Sequence, residues 1–330
     1  MADLTEIEGV GPIKAEILKS KGITSVEQLS IKDPEEIKVL LESSLAVAKK
    51  VIQSAKNLTK EVVKIEDGLY VDNERKSKIN YISTGSNSLD NLFLYAKGVP
   101  TDCIVAFYGA FGSAKTQLCN MVAVNLKRQY PGRKTVWIET EPQTLILDRL
   151  IQIANSRGIN YDLKNDIMVI PAKYMETPDH QFKAYEAIEE KIKAGMDVGL
   201  IVIDSFNSLF RSTYTGRETL PNRSAESGRH IGMLQRLASK YNICILLTLQ
   251  VMGVPDSGTA LGCLKKFGIN TPPVTSNVVK HGVNYMIGLE QISSVDKTWK
   301  AVIADGPVAR SETVFIIDET GINNFFDKKK

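Results

Sequence analysis

The chain is poor in the residues that build metal centres and disulfide frameworks. Its 330 residues include only 4 cysteines and 3 histidines, and no two cysteines stand in Cys-x-x-Cys spacing. That spacing is typical of zinc ribbons and is absent here, as is any H-E-x-x-H motif. Zinc-ribbon and disulfide-framework proteins are therefore excluded, and we expect a protein of a reducing compartment.

Long apolar runs are also missing. No stretch approaches the roughly 18 apolar residues that a transmembrane helix needs. The first ten residues carry three acids and no base, so we expect no secretory signal. The charge balance is nearly even, because 41 basic and 38 acidic residues leave a net charge of +3. This net charge is too small to indicate a nucleic-acid partner by itself, so any DNA contact must come from local clusters.

What is present is typical of a globular protein of two domains. Hydrophobic residues make up 43% and charged residues 24% of the chain. Residues 1–60 read as short helices, 61–80 as a charged linker, and 81–330 as an α/β core. In the core, continuous apolar strands alternate with helical patterns, as a buried parallel sheet requires. Three later runs, VNYMIGL, KAVIAD and TVFIID, are expected to extend that sheet by antiparallel pairing. The five earlier strands are predicted at 102–109, 135–140, 166–171, 199–205 and 243–249.

The strongest chemical signal is GAFGSAKT at 109–116, which follows an apolar strand and precedes a helical run. Its pattern is that of the phosphate-binding loop G-x-x-x-x-G-K-[ST], in which backbone N–H groups cradle phosphates at the start of a helix. Lys115 would reach the β- and γ-phosphates, and Thr116 would bind Mg²⁺. Ala114 stands where the pattern has glycine, so we expect it to weaken hydrolysis. The predicted nucleotide contacts are Gly109, Ala110, Phe111, Gly112, Ser113, Ala114, Lys115, Thr116 and Gln117.

Polar residues end the neighbouring strands. Asp204 follows four apolar residues in LIVIDS and is predicted to hold Mg²⁺. Glu141, after TVWIET, is the candidate base that activates water, with Glu139 as the alternative. Gln250 ends ICILLTLQ and is placed to bond the γ-phosphate. A nucleoside triphosphatase needs carboxylates of both kinds.

Three segments have features of DNA binding. The turn GVG at 9–11, with Gly9, Gly11 and Lys14, matches a helix–hairpin–helix, whose exposed N–H groups can bind a phosphodiester without reading bases. A small helical protein-interaction domain is the alternative. Two predicted loops directly follow the strands that carry Asp204 and Gln250. Their candidate DNA contacts are Arg211, Arg217 and Arg223 in the first loop, and Lys265, Lys266 and Lys280 in the second, at roughly 253–281.

Taken together, these blocks resemble the archaeal RadA recombinases, a RecA-fold strand-exchange family, over nearly the whole length. The blocks include YGAFGSAKTQLCNMVAVN, PDHQ, LIVIDSFNSLFRSTYTGRETLPNR and ADGP. The resemblance implies a RecA-like P-loop ATPase core preceded by a small all-α helix–hairpin–helix domain. It implies a DNA-dependent ATPase, with ATP and Mg²⁺ as cofactors. Arg149 would stack on adenine, and Asp305 with Pro307 would cap the ATP of a neighbouring copy.

The same resemblance implies self-association into filaments or rings, on single-stranded and double-stranded DNA. It predicts homologous pairing and strand exchange in DNA repair, in the cytoplasm at the nucleoid and without a membrane.

Several departures keep alternatives open. The family loop reads GEFGSGKT, so both Ala110 and Ala114 differ. In the second predicted loop, Thr275, Ser276 and Asn277 stand where the family has Gly-Gly-His. The family's Phe-x-x-Ala motif, which docks one protomer on the next, is at best weakly matched by Ile65 and Gly68. These changes favour, as an alternative, a RadA paralogue that regulates recombination and exchanges strands weakly or not at all. A RecA-fold helicase is a third reading.

Overall fold

The computed structural model describes residues 3–60, 65–251 and 275–325. The chain separates into two compact units, Met1–Ser77 and Lys78–Lys330. This boundary lies within the stretch 61–80 that the sequence predicts as a linker, and the second half of that stretch is helical. No helix in the described ranges combines the length and the apolar character needed to cross a membrane.

The first unit is built of helices around a small core. Leu18, Leu29, Ile37 and Val51 are fully buried in that core. Side-chain caps set where the helices start: the Ser25 hydroxyl accepts from the backbone N–H of Gln28, for example. The helices are α1 (Pro12–Ser20), α2 (Val26–Ser30), α3 (Pro34–Leu40), α4 (Leu45–Lys60) and α5 (Gly68–Lys78).

The second unit contains a two-stranded and a nine-stranded sheet. The small sheet pairs β1 (Tyr81–Ile82) with β2 (Val99–Pro100). The large sheet has the order β11-β10-β9-β8-β3-β7-β6-β4-β5. Its strands are β3 (Cys103–Tyr108), β4 (Lys134–Glu139), β5 (Ile167–Ile170), β6 (Val198–Asp204), β7 (Cys244–Leu249), β8 (Tyr285–Ser293), β9 (Thr298–Asp305), β10 (Glu312–Asp318) and β11 (Gly321–Asn324).

The five predicted core strands all form, and six neighbouring strands, β3 to β8, run parallel. The prediction of antiparallel pairing is confirmed for β9 and β10. For β8 it is confirmed on one side only, because β8 pairs antiparallel with β9 and parallel with β3. Parallel neighbours need a connection of a dozen or more residues, and the stretch of sequence between Leu249 and Tyr285 is long enough to supply one.

Both faces of the sheet are buried, which explains why its strands are continuously apolar. Along β3, Val105 and Phe107 pack into one cluster with α7 and α8, while Ile104, Ala106 and Tyr108 pack into a second cluster with α9 and α11. The helices of this unit are α6 (Asn87–Asp90), α7 (Lys115–Gln129), α8 (Leu147–Ser156), α9 (Pro178–Lys193), α10 (Ser208–Thr213), α11 (Leu220–Tyr241) and α12 (Asn277–Gly282).

The two segments predicted as DNA loops are more helical than expected. The first consists largely of α10, a 3₁₀ turn at Arg217–Thr219 and the start of α11. The end of the second is α12, whose Val279 is fully buried. The prediction of loops was therefore wrong for these parts. Gly and Pro were read as loop signals, whereas Pro221 lies in the first turn of α11, where proline is tolerated.

Candidate functional site

The carboxyl ends of the parallel strands open onto a cavity of about 820 Å³. Ligands of open α/β sheets bind at this edge. The cavity is lined by the whole segment from Gly109 to Gln117, and by residues that follow β4, β6 and β7. The latter include Glu141, Arg149, Asp204, Ser205, Arg211 and Gln250, together with Ile146, Trp299 and Ile317 on its apolar side.

The loop before α7 is closed by its own hydrogen bonds. A Cβ atom on Gly109 would lie 2.3 Å from the carbonyl oxygen of Leu289, so only glycine fits there. The Lys115 ammonium donates to the carbonyl oxygens of Gly109 (2.9 Å) and Ala110 (2.9 Å) and to the Ser113 hydroxyl (3.2 Å). Burial lowers the pKa of Lys115, and the nearby Asp204 carboxylate opposes this shift. The lysine charge thus lies inside the loop that would receive phosphates.

Ala114 adopts a left-handed backbone conformation, with φ +79° and ψ +7°. This region disfavours residues with a Cβ and is the usual reason for glycine at such a position. The side chain is only 7% exposed and belongs to the core cluster beneath α7. The substitution therefore introduces backbone strain, while its methyl group packs largely into the protein interior.

Asp204 ends β6 and is almost fully buried. Its carboxylate accepts hydrogen bonds from the Thr116 hydroxyl (Oγ1 to Oδ2, 2.7 Å) and from the Thr248 hydroxyl. Burial raises the pKa of Asp204, and the two hydroxyl donors act against that shift. A carboxylate beside a threonine hydroxyl supplies the hard oxygen ligands that Mg²⁺ prefers. The residues present therefore fit a magnesium ion.

Glu141 is the centre of a second polar chain. Its Oε1 accepts from the Ser205 hydroxyl (2.5 Å) and from Nε2 of Gln250 (2.6 Å). The other end of the Gln250 amide, Oε1, accepts from the Arg211 guanidinium. Asn207 fixes the backbone of Gln250, whose N–H donates to Asn207 Oδ1 at 3.1 Å. A continuous path of hydrogen bonds thus joins the carboxylate of Glu141 to α10.

Glu139, the alternative base, has a different environment. Its Oε1 accepts from the backbone N–H of Leu145 (3.0 Å), so it fixes the segment that follows β4. Of the two carboxylates only Glu141 lines the cavity, and this favours Glu141 for the catalytic role.

Arg149 lies at the rim of the cavity, where three elements meet. Its guanidinium donates to Gln117 Oε1 on α7 (3.1 Å) and to the carbonyl oxygens of Asp318 (2.5 Å) and Glu319 (2.9 Å) after β10. Burial lowers its pKa. The arginine is therefore tied by hydrogen bonds to the turn between β10 and β11.

Other predicted residues lie away from this cavity. Asp305 stands opposite Met286 at the start of β8, because β9 runs antiparallel to β8, so Asp305 and Pro307 are at the other edge of the sheet. Arg217 is exposed, whereas Arg223 is half-buried in the first turn of α11 and Lys280 lies on α12. Lys265 and Lys266 fall outside the described residues.

The predicted hairpin of the first unit precedes α1. Gly9 has φ +89°, and a Cβ atom there would lie 3.3 Å from Cγ2 of Val51. Gly11 caps α1 without a side chain, and the Lys14 ammonium donates to the carbonyl oxygen of Gly9 at 3.1 Å. The three predicted residues are thus adjacent at one helix start.

The sequence does not predict the contacts of three residues in or next to the cavity, Thr248, Arg211 and Trp299. Thr248 is a polar residue inside an otherwise apolar strand, which is a usable signal for a functional contact. Arg211 is predicted as a DNA contact, which stays a prediction, and it also lines the cavity. Trp299 lines the cavity, and no local pattern indicates that its ring reaches the loop before α7.

Comparison with known proteins agrees with this geometry. The protein family described as Rad51 matches residues 75–325, which is most of the chain and nearly all of its second unit. The chain belongs to the Rad51 family. The DNA repair and recombination protein RadA of Cenarchaeum symbiosum (strain A) is 31% identical over 330 residues, an alignment that covers 98% of this chain and 79% of the archaeal protein.

Membership of the Rad51 family confirms the RecA-like core that the sequence predicts. It also implies ATP-dependent recombinase activity, with the binding of ATP and Mg²⁺ that is general in the family. The cavity agrees with both cofactors, because a phosphate loop, a lysine and a carboxylate–hydroxyl pair meet at one sheet edge.

Proposed function

We propose that this chain is a DNA-dependent ATPase that assembles on single-stranded DNA and promotes homologous pairing and strand exchange. The observation that carries the proposal is the hydrogen-bonded path from Glu141 through Gln250 to Arg211. It joins the phosphate end of the cavity to α10, which leads into the segment with the candidate DNA contacts Arg217 and Arg223. ATP state and DNA binding can therefore influence each other through side chains in direct contact.

Nucleotide would be held chiefly by the loop from Gly109 to Gln117. Lys115 would exchange its bonds to loop carbonyls for bonds to the β- and γ-phosphates. Thr116 and Asp204 would hold Mg²⁺, whose charge stabilises the transferring phosphoryl group when it is bound. Arg149 would lie against the base, on the side of the cavity lined by Ile146 and Ile317.

For hydrolysis, Glu141 would orient the attacking water and accept its proton. Its Oε1 already accepts two hydrogen bonds, from Ser205 and Gln250, which fixes the carboxylate in one orientation. Gln250 would bond the γ-phosphate when its present bond to Glu141 is released. The amide is a good reporter of nucleotide state, because one end faces the carboxylate and the other faces Arg211.

Assembly would bring further groups to the cavity. Asp305 and Pro307 lie at the edge of the sheet opposite the cavity, so they can cap ATP only in a neighbouring copy. We assign DNA binding to Arg217, Arg223, Lys265, Lys266 and Lys280, and also to Gly9, Gly11 and Lys14 of the helix–hairpin–helix at 1–60. The segment 61–80 would connect protomers.

A regulatory paralogue that binds nucleotide and DNA but exchanges strands weakly is the second candidate. The observation that favours it is the strained Ala114 in the phosphate loop. ATP turnover by the purified protein, with and without single-stranded DNA and at two salt concentrations, separates the two. Turnover stimulated by DNA, followed by strand exchange, supports the recombinase. DNA binding that depends on nucleotide but proceeds without turnover would overturn it in favour of the regulator.

A further inference from the structure

Trp299 reaches the phosphate loop from a distant part of the chain. It is the second residue of β9, where it pairs with Gln291 of β8 and Phe315 of β10. Its ring stacks on that of Phe315, with 6.4 Å between centroids and 25° between planes. The indole is partly buried against the core cluster beneath α7 and forms part of the cavity wall. The strand position and the contacts with Phe315 and the core therefore fix where the ring lies.

The indole N–H of Trp299 donates to the carbonyl oxygen of Gly112, with 3.0 Å between Nε1 and the oxygen. The other side of the same peptide group is also occupied, since the Ser113 N–H donates to the carbonyl oxygen of Ala110 at 3.2 Å. The peptide plane between Gly112 and Ser113 is therefore held from both sides. Gly112 itself has φ +76°, and no atom lies within 4 Å of the position that a Cβ would occupy.

This restrained peptide lies two residues before the site of backbone strain, Ala114. A strained conformation persists only where surrounding contacts hold it. A loop with glycine at that position meets no such penalty, whereas this loop must be kept in shape by its neighbours. Trp299 supplies a contact that comes from outside the loop, on a rigid strand.

We propose that Trp299 is a positioning residue for the phosphate loop, which fixes the peptide group between Gly112 and Ser113 and keeps the strained loop ready for a nucleoside triphosphate. The proposal rests on the nucleotide-binding part of the proposed function. A loop that is already shaped loses less conformational freedom when ligand binds, and this raises affinity without a direct contact to the reacting atoms.

The test uses Trp299→Phe in the full chain, which keeps an aromatic ring and removes the N–H donor. A net neutral hydrogen bond corresponds to roughly a 3- to 10-fold change in an equilibrium constant. We expect ATP and ADP affinities to fall by about that factor, KM for ATP to rise in parallel, and kcat at saturating ATP to stay unchanged. A loss confined to kcat would contradict a positioning role.

Trp137→Phe is the matched control. Trp137 is fully buried in β4, and its indole N–H has no hydrogen-bond partner within the described residues. The chain has two tryptophans, so nucleotide-dependent change in tryptophan fluorescence should survive Trp137→Phe and disappear in Trp299→Phe. The reverse pattern would overturn the assignment of Trp299 to the loop.

A second readout does not depend on nucleotide. Amide hydrogen exchange of residues 109–116 in the nucleotide-free protein should become faster in Trp299→Phe and stay unchanged in Trp137→Phe. If wild-type protein binds no nucleotide, but exchange of residues 109–116 is still faster in Trp299→Phe than in wild type, the proposed function fails. The role of Trp299 in shaping the loop then stands. If exchange and affinity both match wild type, the inference is wrong.

The effect of the Trp299 hydrogen bond should also depend on the backbone strain at Ala114. In Ala114→Gly protein, the loop needs less external support, so Trp299→Phe should then weaken nucleotide binding by a smaller factor than it does with Ala114 present. Equal factors in both backgrounds would show that the Trp299 contact does not act on the strained residue, and would contradict this part of the inference.

Discussion

The two glycine turns of this protein begin helices in the same way and differ in what surrounds them. Gly9 precedes α1 and Gly112 precedes α7, both with positive φ. In each turn a lysine folds back onto a loop carbonyl: Lys14 bonds Gly9 (3.1 Å) and Lys115 bonds Gly109 (2.9 Å). Both helix starts present the electrostatics that favour an anion.

The two turns differ in the side chains that surround them. Around Lys115, side chains from the ends of other strands converge on one cavity: Asp204 from β6, Glu141 after β4 and Gln250 after β7. The turn at Gly9 lies in a small helical unit, and Lys14 has no comparable set of carboxylates around it in the described chain. The backbone of the turn at Gly9 is therefore sufficient to bind a phosphate group. Hydrolysis of a phosphate requires the additional side chains that surround Lys115.

The largest effect that tests this comparison is expected for Lys115→Ala. Lys115 is the central cation of the loop, and its loss removes charge-assisted hydrogen bonds to two phosphates. Each such bond contributes about 1.5–3 kcal/mol, so nucleotide affinity should fall by roughly 100-fold or more. Titration with ATP measures this. Lys14→Ala serves as the comparison and should leave ATP affinity unchanged; equal losses in both variants would abolish the distinction between the turns.

Asp204→Asn should separate binding from turnover. The neutral amide cannot balance the charge of Mg²⁺, and it offers one oxygen where Thr116 and Thr248 now donate to two. We expect ATP to bind within a few-fold of wild type and turnover to fall by about 100-fold, as for loss of one electrostatic group at a reacting phosphate. Mg²⁺ titration of the turnover rate provides the measurement. Undiminished turnover would remove Asp204 from the metal site.

Much of this site could be predicted because its signals are local. The phosphate loop is a contiguous motif, and Asp204 and Gln250 end apolar strands, whose carboxyl ends must meet in a parallel sheet. Trp299 lies 187 residues from Gly112 along the chain, and no sequence pattern indicates that these two residues are in contact. The helices α10 and α12 were not predicted for a similar reason: the packing of residues such as Val279 decides them, and composition does not.

Arg211→Met compared with Arg217→Met tests the path between the cavity and the DNA segment. Arg211 bonds Gln250, whereas Arg217 is exposed. We expect Arg211→Met to lower the stimulation of ATP turnover by single-stranded DNA by about 10-fold, as for one lost charge-assisted bond. Arg217→Met should chiefly weaken DNA affinity.

Stimulation measured at saturating DNA keeps these two effects apart. Identical behaviour of the two arginine variants would show that Arg211 contacts DNA directly, as the sequence alone suggests. It would also remove the side-chain path as the route of communication.

Ala114→Gly should change stability little, because three terms nearly cancel. Relief of the left-handed conformation stabilises by about 1–2 kcal/mol. Loss of a buried methyl costs about 0.8 kcal/mol, and the freer unfolded chain costs about 0.4–1 kcal/mol. Denaturant unfolding should thus agree with wild type within about 1 kcal/mol. Turnover should rise by less than about fivefold, which corresponds to about 1 kcal/mol in the barrier, since the methyl packs mainly into the interior. A much larger rise would show that this methyl obstructs the phosphates.

The smallest effect is expected at the other turn. Lys14→Ala removes one phosphate contact from a site that binds by backbone shape, so affinity for duplex DNA should fall by about threefold, with the slope of log K against log salt reduced by about 1. Lys21→Ala is the matched control, because it removes the same charge at the other end of α1. If both variants lose affinity alike, the hairpin contributes only net charge to DNA binding. The turn at Gly9 would then not be a phosphate-binding turn comparable with the loop before α7.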